Sequence, residues 1–144
     1  MREAFVFFNI TSVHGFKTKL GGEIYQRITT AAQLADPVKQ PMVAVNIAFS
    51  AKGLQVLEVT DDLGDPNFKT GQGNDAVMLG DPGTTKWHDS YQKGVHGVLQ
   101  VAGMQKMIDE EVKNIKAIFG DAFQEVYRLD AFARPGAGKG HERE

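Results

Sequence analysis

Residues 60–94 form a long run rich in aspartate and glycine, the residue types that hold cations and cradle phosphates. Asp65-x-Asn67-x-Lys69-x-Gly71 begins like a calcium-binding loop. Lys69 stands where an oxygen ligand is needed, however, and no Glu closes the twelve-residue register. The aspartates therefore predict turn capping, in which a short carboxylate accepts nearby backbone N–H groups. Gly71-Gln72-Gly73-Asn74-Asp75-Ala76 has the G-x-G-x-x-A spacing of a dinucleotide loop, but it follows no convincing strand and opens no βαβ unit. Of the four histidines, His14, His88, His96 and His141, no two stand at the i,i+4 spacing of a helical zinc pair. Any single histidine could ligate a haem iron. His96, placed in a strand, reads instead as a buried, hydrogen-bonded side chain facing a partner sheet. The absence of cysteine removes thiolate metal sites, iron–sulfur clusters, disulfides and a Cys nucleophile, and no G-x-S-x-G elbow occurs. The residues thus name no catalytic, cofactor-binding or metal-binding position.

Composition narrows the partners. The chain has 144 residues, 16 basic and 18 acidic, for a net charge of -2. That length predicts one domain with a core of its own. The balanced charge predicts neither nucleic acid nor an anionic membrane as partner. Phe5-Val6-Phe7-Phe8-Asn9-Ile10 is too short for a secretory leader, and no run has the 18 or so apolar residues of a membrane span. The chain is expected to be soluble.

The elements that must position everything else follow from hydrophobic period. Residues 4–10 predict a strand. Residues 14–34 predict a helix, with Phe16, Leu20, Ile24, Ile28 and Ala31 at three- and four-residue steps and Gly21-Gly22 weakening its middle. Residues 42–49 alternate as a strand with Val43, Val45, Ile47 and Phe49 on one face. Ser50 caps a short helix through about Glu58. Residues 60–94 predict a long insertion that covers the domain, anchored by Leu63, Phe68, Val77, Met78, Leu79 and Trp87. A strand over 95–102 comes next. A helix over 104–119 carries an apolar stripe, an Asp109–Lys113 pair and Gly120 at its end. The last strand covers about 123–131.

This β-α-β, insertion, β-α-β order predicts an α+β fold of the ferredoxin-like, split βαβ type: a four-stranded antiparallel sheet with helices on one face. The domain is expected over 1–134, with a flexible tail over 135–144. The second sheet face then carries Phe5, Phe7, Ala44, Ala48, Val98 and Ala102, with Asn46, His96, Gln100, Arg128 and Asp130 among them. Such a face is too apolar for open water and too polar for a deep core. It predicts a homodimer, sheet against sheet, through Phe5, Phe7, Ala44, Val98 and Ala102.

Three stretches resemble the fungal branch of the dye-decolorizing peroxidases. They are Val45-Asn46-Ile47-Ala48-Phe49-Ser50 with Gly53-Leu54; Thr60-Asp61-Asp62-Leu63-Gly64-Asp65 to Leu79-Gly80-Asp81-Pro82-Gly83, with Trp87 and Val95-His96-Gly97-Val98; and Val126-Tyr127-Arg128-Leu129 with Ala133-Arg134-Pro135-Gly136 and Gly140-His141-Glu142. The resemblance implies a protein of two ferredoxin-like domains of the dimeric α+β-barrel type, with the haem held mainly by the second. It also implies a distal Asp in a Gly-x-x-Asp-Gly motif, a distal Arg and a proximal His. The Asp would lie just beyond Glu144 and the other two in the second domain, so none maps onto this chain. Arg143-Glu144 stands where the family has another His and aromatic-Gly residues, which favours a natural or altered terminus over a simple cut.

The expected function is therefore that of an N-terminal half, without haem or peroxidase activity of its own, acting as a dimerising structural or interaction domain. Two alternatives stand beside it. One is a dimeric α+β barrel that binds or transforms a small apolar ligand. The other is half of a haem peroxidase, active only with its C-terminal domain. The family resemblance allows an extracellular location.

Overall fold

The computed structural model describes residues 2–132, so the tail beyond Arg134, with His141, lies outside the described residues. Strands β1 (Arg2–Ile10), β2 (Val43–Phe49), β3 (Gly97–Gly103) and β4 (Phe123–Phe132) form one antiparallel sheet in the order β2-β3-β1-β4. This is the split βαβ arrangement expected from the element order. Alternation decides the two faces: Ala4, Val6, Phe8 and Ile10 are buried while the residues between them are half-buried.

Helices α1 (Val13–Lys19) and α7 (Gln105–Phe119) lie on the buried face. Ser12 caps α1 by accepting the Gly15 N–H, and α7 presents Ile108, Val112, Ile115 and Phe119 to the core. The centre of that core is aromatic. Phe16 stacks on Phe119 at 4.5 Å and on Phe8 at 5.6 Å, and Phe123 stacks on Phe8 at 4.7 Å. Across the helical layer, Arg27 grips both carboxylate oxygens of Glu111, at 2.7 and 3.0 Å.

The helix expected over 14–34 is instead broken. After α1 the chain passes through a π-helical turn at Leu20–Ile24, where Gly22 leaves helical geometry, and a last turn at Tyr25–Arg27. Ile28 is extended, and Thr30 starts a separate helix, α2 (Ala31–Ala35), through a reciprocal capping box with Gln33. The Asp109–Lys113 pair is also replaced, because Asp109 faces Arg128 and Gln105.

Helix α3 (Ala51–Val56) has its cap at Ser50 as expected. The 60–94 segment that follows contains three short α-helices, α4 (Pro66–Thr70), α5 (Gln72–Asp75) and α6 (Asp89–Gln92), and a 3-10 turn at Thr84–Lys86. Its aspartates do cap turns: Asp65 accepts the Phe68 N–H, Asp62 the Gly64 N–H and Asp81 the Gly83 N–H. The anchors differ from expectation. Leu63, Val77, Met78 and Leu79 point into solvent, and Ala76 is buried in their place. The reason is local: Leu79 N–H bonds Asp75 O and Asp81 N–H bonds Ala76 O, so the apolar triplet sits on the outside of a tight turn. Trp87 is only half-buried, its indole N–H held by the Asp81 carboxylate at 3.0 Å. Among the described residues no helix is long and apolar enough to cross a membrane.

Candidate docking face

Pairing partners in an antiparallel sheet share a face, so the register sorts the side turned away from the helices into rows. One row is Ala48–Val98–Phe7–Tyr127, the next Asn46–Gln100–Phe5–Leu129, and the third Ala44–Ala102–Glu3–Ala131. Phe5, Phe7, Ala44, Val98 and Ala102 all stand on this face, as the alternation of their strands predicts. Glu3 carries the one charge among these rows. Phe5, Phe7, Val98 and Tyr127 are half-buried and Leu129 is exposed. An apolar sheet face without a covering layer is the arrangement of surfaces that meet a partner.

One end of the face is already roofed. Tyr91 of α6 meets the Phe7 ring edge-on at 5.0 Å and the Tyr127 ring at 5.7 Å, while His88 lies 4.8 Å from Tyr127. Burial, with Tyr127 nearby, raises the Tyr91 phenol above its usual value. The long insertion thus covers the Phe7 end of the face, while at the other end Glu3, Ala44, Asn46, Gln100 and Ala102 line a cavity of about 490 Å³ shared with Leu34, Pro41 and Met42.

Arg128 and Asp130 do not belong to this face, contrary to the alternation read from sequence. They pair with Val6 and Ala4, whose side chains point to the helices. Arg128 Nη2 reaches Asp109 Oδ1 on α7 at 2.6 Å, and that bond holds the Asp109 carboxyl below the usual range. The cause is a bulge: Phe7 pairs with Tyr127 but Phe8 with Glu125, so one extra residue in β4 reverses its phase. From Tyr127 onward the odd residues join the open face.

His96 is committed to the end of the sheet. Its Nδ1 accepts the Ile10 N–H at 2.8 Å, while its own N–H donates to Phe8 O at 2.9 Å. Burial, and then the Lys52 charge, lower its pKa below the ordinary histidine value. Between the lowered folded pKa and the unfolded value near 6.5 the unfolded chain holds the extra proton, so folding weakens as pH falls through that window. Thermal melts taken downward from neutral pH should show this loss. His96→Asn, whose Oδ1 can accept the same N–H without titrating, should flatten it. Identical pH profiles for the two proteins would refute the assignment.

A second concave feature, a cleft of about 1000 Å³, runs between α3 and the 60–94 segment. Leu54, Val59, Phe68 and Trp87 are on its walls, with Asp61, Asp62 and Asp65 among its lining residues. A haem iron needs an axial His, Cys, Met or tyrosinate. Among the described residues no His, Cys or Met lines this cleft, and Tyr91 there holds its proton more tightly than usual. The donor set does not fit haem. Among the described residues no group of three or more His, Cys, Asp or Glu side chains could hold a metal ion, and His14 and His88 are exposed.

Comparison with known proteins places this geometry. The family model described as the DyP dimeric alpha+beta barrel domain matches residues 1–135. The chain is 43% identical to dye-decolorizing peroxidase msp1 of Mycetinis scorodonius and 39% identical to dye-decolorizing peroxidase AauDyP1 of Auricularia auricula-judae. Each match covers 98% of this chain and 28% of the relative, so the chain spans under a third of those proteins' length. A crystal structure of the Auricularia auricula-judae decolorizing peroxidase superposes with a TM-score of 0.90 at 39% identity, over 98% of this chain and 32% of that one. A four-stranded sheet with α1 and α7 on one face, matched over 98% of the chain at such identity, makes this chain a member of the DyP dimeric α+β barrel domain family, corresponding to its N-terminal ferredoxin-like domain.

Proposed function

We propose that this chain supplies one sheet layer of a two-sheet α+β barrel. It docks through the face of Phe5, Phe7, Ala44, Val98 and Ala102, and it holds no haem and performs no peroxidation by itself. The observation that carries the reading is the set of three rows, apolar except for Glu3, Asn46 and Gln100, lying opposite the helices with Phe5 half-buried and Leu129 exposed. Burying a large apolar side chain fully is worth about 1.5–3 kcal/mol relative to exposure, and each half-buried ring on the face has part of that still to gain. When only this chain is present the occupant is a second copy, related by the twofold axis that lets one surface meet itself.

Sedimentation at micromolar concentration should show a dimer. Phe7→Glu, which places a charge on the contact face at the end beside Tyr91, should give a folded monomer by circular dichroism. A monomeric wild-type chain, unaffected by Phe7→Glu, would sink the proposal. The same protein mixed with haem and peroxide should give no change in the Soret band from that of free haem and no dye bleaching beyond that of free haem.

The coverage of 28% of the curated relatives favours a second reading of the same face. In a longer chain its occupant is a second ferredoxin-like domain that holds the haem, and peroxidase activity belongs to the assembled pair. A longer chain that binds haem and loses it on Phe7→Glu supports this reading. Retention of haem and activity in that variant counts against it.

A further inference from the structure

A sheet can recruit a partner through its face or through its edge, and β2 lies at one edge of this sheet. Edge strands expose a row of N–H and C=O groups on which another strand can assemble. On β2 that row is identified by Val45, whose C=O accepts the Thr29 N–H at 2.9 Å and whose N–H donates to Thr29 Oγ1 at 3.0 Å. These bonds lie outside the β2–β3 ladder. Because backbone polarity alternates along an antiparallel strand, Val43, Ile47 and Phe49 also turn their N–H and C=O groups outward.

Two of these outward donors are taken. Besides Thr29 on Val45, the Asn46 side chain folds back so that its Oδ1 accepts the Ile47 N–H at 2.8 Å. A carboxamide and a hydroxyl from two different places in the chain thus seal adjacent outward sites at the middle of the edge. Pro41, two residues before Val43, has no N–H with which to lengthen the row. The segment that supplies Thr29 follows the break at Ile28, which turns residue 29 alongside the strand instead of continuing the helix.

We propose that Thr29 and Asn46 are stoppers that close the outer edge of β2 to strand addition by a second copy of the chain. Association is then confined to the open face, as the docking reading above requires. The stoppers leave room for a closed pair of sheets and block an open, growing ribbon.

The test uses the full chain with the face disabled, so that the two routes separate. Phe7→Glu is the background, and Thr29→Val with Asn46→Ala is added to it. The Val replacement keeps the shape of Thr and the Thr29 N–H bond while removing the hydroxyl acceptor. Sedimentation over rising concentration should show the background as a monomer and the triple variant associating progressively. A triple variant as monomeric as its background overturns the proposal. Hydrogen exchange supplies a second measurement in the single variants, where the Val45 amide should exchange faster in Thr29→Val and the Ile47 amide in Asn46→Ala. Unchanged exchange at both amides also overturns it. Should Phe7→Glu alone remain dimeric, the docking reading fails, while the increment caused by the two edge substitutions still decides the stoppers.

Discussion

Gly53→Ala is expected to abolish stable folding. A Cβ built on Gly53 would lie 1.8 Å from the His96 carbonyl oxygen and 2.7 Å from its carbon, both backbone atoms. That carbonyl cannot step aside, because it accepts the Ser50 N–H at 3.0 Å, the bond that joins the end of β2 to the start of β3. Ser50 in turn caps α3 through the Gly53 N–H at 3.1 Å. The added methyl would therefore break the cap, the inter-strand bond and the approach of α3 to the sheet together. Helix propensity argues the other way, since Ala in place of Gly favours a helix by about 1 kcal/mol. The steric loss is larger, at about 4 kcal/mol or more, the range reached when backbone must be displaced. At the low end of the usual total of about 5–15 kcal/mol such a loss leaves almost no stability. Urea denaturation followed by circular dichroism checks it, and a variant as stable as wild type would refute the account.

Phe16→Ala should cost about 3–5 kcal/mol. Phe16 has no exposed surface and is the ring through which α1 meets α7 and the sheet. It stacks on Phe119 at 4.5 Å and Phe8 at 5.6 Å and meets Phe49 edge-on at 6.1 Å. Rings fixed on one helix and two strands cannot close together over the gap, so a cavity remains and its walls lose their contacts. Phe132→Ala is the matched control. That ring is 67% exposed, with the Arg2 guanidinium 5.7 Å from its centre, and its removal should cost no more than about 1 kcal/mol. Equal losses for the two would show that the core has been misplaced.

The sheet and α7 were legible because their apolar residues repeat at a clean period of two or of 3.6. Val43 to Phe49 and Ile108 to Phe119 need no tertiary knowledge to be assigned a face. The helix over 14–34 misled because Ile28 meets the core from an extended backbone while keeping a helical spacing from Ile24. Thr30-Ala31-Ala32-Gln33 is a capping-box sequence and was the available sign of the break. Arg128 and Asp130 were misassigned because Gln124 to Asp130 mixes polar and apolar residues, so nothing in the strand marks where its phase reverses. The face turned away from the helices was legible on β1, β2 and β3, whose alternation is uninterrupted. The constraint on Gly53 could not be read at all, since it comes from residue 96 folding back against it.

The bond between the Trp87 indole and Asp81 has a spectroscopic consequence. Trp87 is the chain's one tryptophan, and it sits in the insertion, away from the stacked phenylalanines. Its emission therefore reports the insertion's attachment, and a segment held by turns, the ring contacts of Tyr91 and His88 and a few polar bonds can open at less free energy than the sheet. A fluorescence transition that precedes the loss of circular dichroism would then mark detachment of one surface segment, with the core intact. Read without that geography, the same pair of curves would be mistaken for a folding intermediate of the whole domain.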